Sequence, residues 1–218
     1  PDTRLATLQV ALIQGNIPQD LKWHPDNQLN TVNIYRELSL RAEQSEAADL
    51  IVWPEAAMPF YFQDGGPLAD SVSALPVEAG ASLLFGSPAY HRDPGGLRYL
   101  NSAFLLSPTA KILGRSDKIH LVPFGEYVPL GRFLPFVNKL VAGIGDYSPG
   151  EINPLPIQGH QFGVLVCYEV IFPKLARDYV RQGSDLLVNI TNDAWFGQSA
   201  APWQHLAMAR FRAIENRV

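Results

Sequence analysis

Cys167 is the only cysteine in the 218 residues, so it has no internal disulfide partner and is either a packed side chain or a reactive one. It follows the apolar run Gly163-Val164-Leu165-Val166, which reads as a strand, and a strand end in an α/β sheet is where reacting groups are commonly displayed. Burial statistics alone favour a packed thiol. Two residues later Glu169 brings a carboxylate that, once buried, needs a partner. Glu55, in Trp53-Pro54-Glu55, also follows a strand-like run, and a carboxylate among apolar neighbours gains proton affinity and can serve a thiol as general base. Lys118, in Asp117-Lys118-Ile119-His120-Leu121, offers an ammonium for a thiolate and a developing oxyanion. Taken singly, Glu55 reads first as a solvated turn residue and Lys118 as a surface lysine. Taken together they are a nucleophile, a base and a cation, the set that covalent acyl chemistry requires.

The elements that must position these groups alternate. Leu8 to Gln14 reads as a strand, and Asn27 to Ala47 carries apolar residues at helical spacing (Leu29, Val32, Ile34, Leu38, Ala42). Leu50 to Trp53 is a short buried-type strand closed by Pro54; a helix over Leu68 to Ala79 and a strand over Ser82 to Gly86 follow. Leu97 to Ser107 and Ala110 to Gly114 pair around Ser107-Pro108-Thr109. Strands over Phe162 to Cys167 and Asp185 to Ile190 flank a helix at Pro173 to Gln182, and a helix over Trp203 to Asn216 ends the pattern. Such alternation predicts an α/β domain with helix-covered sheets. The irregular stretch Val128 to Pro149 is rich in Phe, Leu, Val, Gly and Pro; it reads either as a functional loop or as a core helix near Phe133 to Val141.

With 47% hydrophobic and 17% charged residues, the chain can bury one sizeable core, and a single domain over 1–218 is expected. Seventeen basic against 21 acidic residues give a net charge of −4, which disfavours nucleic acid as a partner. No apolar run approaches the roughly 20 residues that a spanning helix needs. The opening Pro1-Asp2-Thr3-Arg4 does not resemble a signal peptide, and both ends read as cuts from a longer protein.

The order Glu55, Lys118, Cys167 resembles the catalytic triad of the nitrilase superfamily, and the flanks resemble its apolipoprotein N-acyltransferase branch. The matching segments are Gln14 to Pro18 with Leu21-Lys22-Trp23, Trp53-Pro54-Glu55, Lys118 to Pro129, Cys167-Tyr168-Glu169, and Asn192 to Gly197 leading to Pro202-Trp203-Gln204-His205. The resemblance implies a nitrilase-like αββα sandwich whose C-terminal part lies beyond Val218, preceded in the whole protein by a bundle of membrane helices. It implies Glu55 as base, Lys118 as oxyanion stabiliser and Cys167 as nucleophile, with Trp23, Asn101, Glu126, Tyr168 and Glu169 in supporting roles.

The activity so implied moves a fatty acyl chain from a phospholipid, through a Cys167 thioester, to the α-amine of a diacylglyceryl-cysteine at an apolipoprotein's N-terminus. Its setting would be the periplasmic face of a bacterial inner membrane. No cofactor is implied, and neither His120 nor His205 has a cysteine or carboxylate at metal-ligand spacing. With both substrates carrying acyl chains, the apolar segment 133–142 reads as an arm that touches lipid at the membrane surface. The rival readings are a soluble nitrilase-superfamily amidohydrolase, in which water resolves the thioester, and a non-catalytic interaction module, which would be expected to lose a member of the triad.

Overall fold

The computed structural model describes residues 7–123, 125–127 and 147–218; the expected arm at 133–142 lies outside them. Strands β1 (Val10–Leu12), β2 (Leu50–Val52), β3 (Ser82–Asp93), β4 (Gly96–Leu106) and β5 (Ile112–Asp117) form one sheet in that order. β1, β2 and β3 run parallel; β3, β4 and β5 run antiparallel. A second sheet holds β6 (Leu155–Ile157), β7 (His160–Val166) and β8 (Leu186–Ile190), with β7 parallel to β8. The helices are α1 (Gln19–Lys22), α2 (Gln28–Ser45), α3 (Pro67–Ala79), α4 (Pro173–Arg181) and α5 (Ala201–Asn216).

Side chains alternate between faces along a strand, and here each face finds a different layer. Leu50 and Val52 of β2, Leu84 of β3 and Leu105 of β4 meet Leu155, Ile157, Phe162, Val164 and Val166 of the second sheet in one buried cluster. The intervening Ile51, Trp53, Leu83 and Phe85 turn the other way and pack with Val32 and Tyr35 of α2 and Val72 and Leu75 of α3. On the far side, Leu165 packs with Leu175, Ala176 and Tyr179 of α4. The result is four layers, α–β–β–α, as the alternating pattern and the resemblance led one to expect. Because β2 is buried on both faces, its run is continuously apolar.

Three differences from the sequence reading have physical causes. β3 continues past Gly86 to Asp93, pairing in an eleven-step register with β4; its distal third, Tyr90 to Asp93, is partly exposed and polar, so no apolar alternation marks it. β6 is three residues long and contains Pro156, which weakens any strand signal. The four-residue α1 is too short to show a helical period. β1 is an edge strand with Leu12 77% exposed, and α5 turns Trp203, Phe211 and Ile214 to solvent.

The exit of β2 is held tightly. Trp53 is fully buried, stacks on Tyr35 at 5.1 Å, and donates its indole N–H to Ser39 Oγ at 2.9 Å. Beyond it the chain still follows β3: Gly86 donates to the Pro54 carbonyl at 3.2 Å, and Met58 donates to the Gly86 carbonyl at 3.0 Å. This approach requires glycine, since a Cβ on residue 86 would lie 2.5 Å from the Ala56 nitrogen and 2.7 Å from the Glu55 Cα. Gly86→Ala is therefore expected to destabilise the fold by about 1–3 kcal/mol. Gly95→Ala, with open space around its Cβ, should change little; chemical denaturation of the two variants checks the contrast.

Candidate active site

Cys167, Glu55 and Lys118 each stand just past a strand end: β7, β2 and β5 respectively. After Val166 the chain enters a short 3₁₀ turn, Cys167–Ile171, and Cys167 takes φ +56°, a left-handed conformation that costs a non-glycine residue about 1–2 kcal/mol. Two neighbours hold it there. Glu169, 1% exposed, accepts the Val166 N–H at 2.7 Å and, across the gap between sheets, the Ile119 and His120 N–H groups at 2.7 and 2.9 Å. Asn189 of β8 donates to the Leu165 and Cys167 carbonyls at 2.9 and 3.2 Å. Glu169 thus ties the turn bearing Cys167 to the segment bearing Lys118.

Lys118, 1% exposed, donates to Glu126 Oε1 at 2.8 Å and lies 3.6 Å from Glu55 Oε1. Asn101 of β4 bridges the two carboxylates, donating from one Nδ2 to Glu55 Oε1 at 2.8 Å and Glu126 Oε1 at 3.0 Å. The other oxygens are held by main chain: Val122 N–H to Glu126 Oε2 at 2.9 Å and Asn192 N–H to Glu55 Oε2 at 3.0 Å.

The electrostatics follow from burial and these contacts. Burial works to strip the Lys118 proton, but Glu55, Glu126 and the Cys167 sulfur outweigh it and hold the amine above its ordinary value, so it is an ammonium. Burial and the Glu55 charge push the Cys167 thiol up to about 12, against Lys118, the Thr191 hydroxyl and the Tyr168 backbone N–H. A thiol so placed is protonated at neutral pH and needs a base to become a nucleophile. Burial also raises the Glu169 carboxyl, opposed by its three N–H donors. Lys22, 3% exposed, is pushed down to about 8 by burial, with Glu55 opposing the shift. A fall from 10.5 to about 8 withdraws roughly 3 kcal/mol from its charged form.

Glu55, Lys118, Cys167, Asn101, Glu126 and Glu169 are therefore brought together, and Tyr168 flanks the thiol, packed edge-on to Phe172 at 5.3 Å. Trp23 is 45% exposed, and among the described residues no hydrogen bond or ring contact joins it to this cluster. Three contributors escaped the sequence reading. Lys22 lies in the Leu21-Lys22-Trp23 segment, Asn192 opens the Asn192 to Gly197 segment, and Thr191 precedes it. A cavity of about 780 Å³ adjoins the cluster through Lys22, Pro54, Thr191 and Asn192; its lining includes none of Cys167, Lys118 or Glu126. Among the described residues no group of three or more metal-ligating side chains comes together.

Residues 9–218 match the family model described as carbon-nitrogen hydrolase. The chain belongs to that family. It is 59% identical over 214 residues to the apolipoprotein N-acyltransferase of Geobacter metallireducens, covering 98% of this chain and 41% of that protein. It is 36% identical over 216 residues to the apolipoprotein N-acyltransferase of Pasteurella multocida, covering 95% and 41%. The chain thus spans about two fifths of the length of these curated relatives. Among solved structures, Nit3 of Saccharomyces cerevisiae, a member of branch 10 of the nitrilase superfamily, superposes with TM-score 0.68 at 21% identity, covering 97% of this chain and 73% of that one. A carbon-nitrogen hydrolase from Helicobacter pylori superposes with TM-score 0.67 at 18% identity, covering 96% and 70%. These likenesses establish the nitrilase-like sandwich.

Two outcomes follow from the geometry. Glu169→Gln turns an amide N–H₂ toward at least one of three N–H donors, and a loss of about 1–3 kcal/mol is expected in chemical denaturation. Lys118→Met removes the cation that draws the Cys167 thiol down, so alkylation of Cys167 by iodoacetamide at fixed pH should slow, as read by peptide mass spectrometry.

Proposed function

We propose that residues 1–218 are a single catalytic domain of an apolipoprotein N-acyltransferase, part of a larger protein of the bacterial inner membrane with this domain on the periplasmic face. The observation that carries the reading is the 59% identity to such an enzyme over 98% of the chain, joined to a buried lysine and carboxylate beside the one cysteine. Among the described residues no helix is long and apolar enough to cross a membrane.

In this reading Glu55 takes the Cys167 thiol proton, and the thiolate attacks the ester carbonyl carbon of a phospholipid. The Lys118 ammonium and the backbone N–H following Cys167 hold the oxyanion. Collapse breaks the C–O bond, Glu55 returns the proton to the departing lysophospholipid oxygen, and a thioester remains. The α-amine of a diacylglyceryl-cysteine then attacks the thioester and gives a proton to Glu55. The C–S bond breaks, the amide forms and the thiol is restored. The raised thiol requires a base, and the lysine beside it is held as the ammonium that the oxyanion requires. Asn101, Glu126, Tyr168 and Glu169 orient the three reacting groups, and the exposed Trp23 is left to meet substrate.

In the full-length enzyme, supplied with phospholipid and a diacylglyceryl peptide bearing a free N-terminal cysteine, Glu55→Gln, Lys118→Met and Cys167→Ala should each lower N-acylation by roughly 10²–10⁴-fold. Release of free fatty acid at an undiminished rate, with no acyl group on the peptide, would contradict acyl transfer and support an amidohydrolase-type use of water.

A further inference from the structure

One cation serves two carboxylates in the cluster, and it does not stand midway. Lys118 Nζ is 2.8 Å from Glu126 Oε1 and 3.6 Å from Glu55 Oε1, so Glu55 is the less compensated of the two. A second buried cation contacts the main chain of the same residue. Lys22 Nζ donates to the Glu55 main-chain carbonyl at 3.2 Å, and among the described residues it has no other hydrogen bond and no carboxylate within salt-bridge range.

The segment carrying Lys22 grips Glu55 at both ends. Gln19, at the start of α1, accepts the Asn192 side-chain N–H at 2.9 Å, and the Asn192 backbone N–H in turn donates to Glu55 Oε2 at 3.0 Å. Lys22, at the end of α1, fixes the carbonyl side of the Glu55–Ala56 peptide, just where Ala56 takes φ +47° and Gly86 presses from below.

We propose that Lys22 is a positioning residue for Glu55: its buried ammonium anchors the Glu55 carbonyl and adds a second positive charge beside the Glu55 carboxylate. The proposal rests on the reading of Glu55 as general base. Among the described residues, the charged and titratable groups around Glu55 are Lys22, Lys118, Glu126, Tyr147 and Cys167. Asp193 and Tyr35 line the cavity that Lys22 also lines, and Asp193 is already engaged by Thr191 and His205.

The test is the pH profile of kcat/KM for N-acylation by the full-length enzyme. Glu55→Asp first establishes whether the acid limb belongs to residue 55: a limb that stays put overturns Glu55 as base. Given a limb that moves, Lys22→Met is expected to shift it upward by about one pH unit, which is a tenfold loss of rate on that limb, with the phospholipid KM little changed. Lys22→Arg, which keeps charge and donor, should bring the limb back toward the wild-type position. If Lys22→Met does not fold, Lys22→Gln, which keeps a donor without the charge, must show the same upward shift. An acid limb at the wild-type pH in a folded Lys22→Met or Lys22→Gln enzyme overturns the proposal.

Discussion

The Lys118 ammonium, sealed from solvent between Glu126 and Glu55, is the interaction around which the rest of the site is arranged. A buried cation is stable only if its countercharges are present and their remaining lone pairs are satisfied. That requirement explains the surroundings: Asn101 bridges both carboxylates, Val122 and Asn192 supply main-chain donors to their outer oxygens, and the Lys118 N–H is held by the Asn101 carbonyl at 2.8 Å. Removing Lys118 would leave two buried carboxylates beside each other without their shared cation. The same ammonium draws the Cys167 thiol down while burial and Glu55 push it up, so together they set how readily the sulfur loses its proton.

The geometry is delivered by two sheets that, among the described residues, have no hydrogen-bond ladder in common. Lys118 and Glu55 come from the first sheet and Cys167 from the second. The interleaved apolar cluster of Leu50, Val52, Leu84, Phe162, Val164 and Val166 fixes the distance between sheets, and Glu169 fixes their relative placement at the site. Left-handed backbone at Cys167 and Ala56 lies next to the two groups that must meet, and it persists because the surrounding contacts over-determine it.

Much of this was legible in the sequence because burial leaves periodic marks. The alternating strands and helices, the doubly buried β2 and the strand ends at Glu55 and Cys167 carry apolar runs beside the chemistry; the strand before Lys118 was legible only as far as Gly114, because Arg115, Ser116 and Asp117 at the end of β5 are polar. Lys22 was not legible, since nothing in Leu21-Lys22-Trp23 signals that the lysine rather than the tryptophan is buried; the fold inverts the usual preference, leaving Lys22 3% and Trp23 45% exposed. The Asn192 backbone N–H on Glu55 is a main-chain contact between residues far apart in the chain, invisible to any side-chain pattern. The distal end of β3 lacked a signal because Tyr90 to Asp93 are polar and partly exposed, whereas its partner β4 was legible from Leu97.

The central claim, that Cys167 carries an acyl group, is tested most directly by intact mass spectrometry of the full-length protein incubated with phospholipid and no acceptor. The account predicts a mass increase of one acyl chain on the peptide containing Cys167, removed by hydroxylamine and absent from Cys167→Ala. Protein that is active in N-acylation yet never shows the adduct would contradict it.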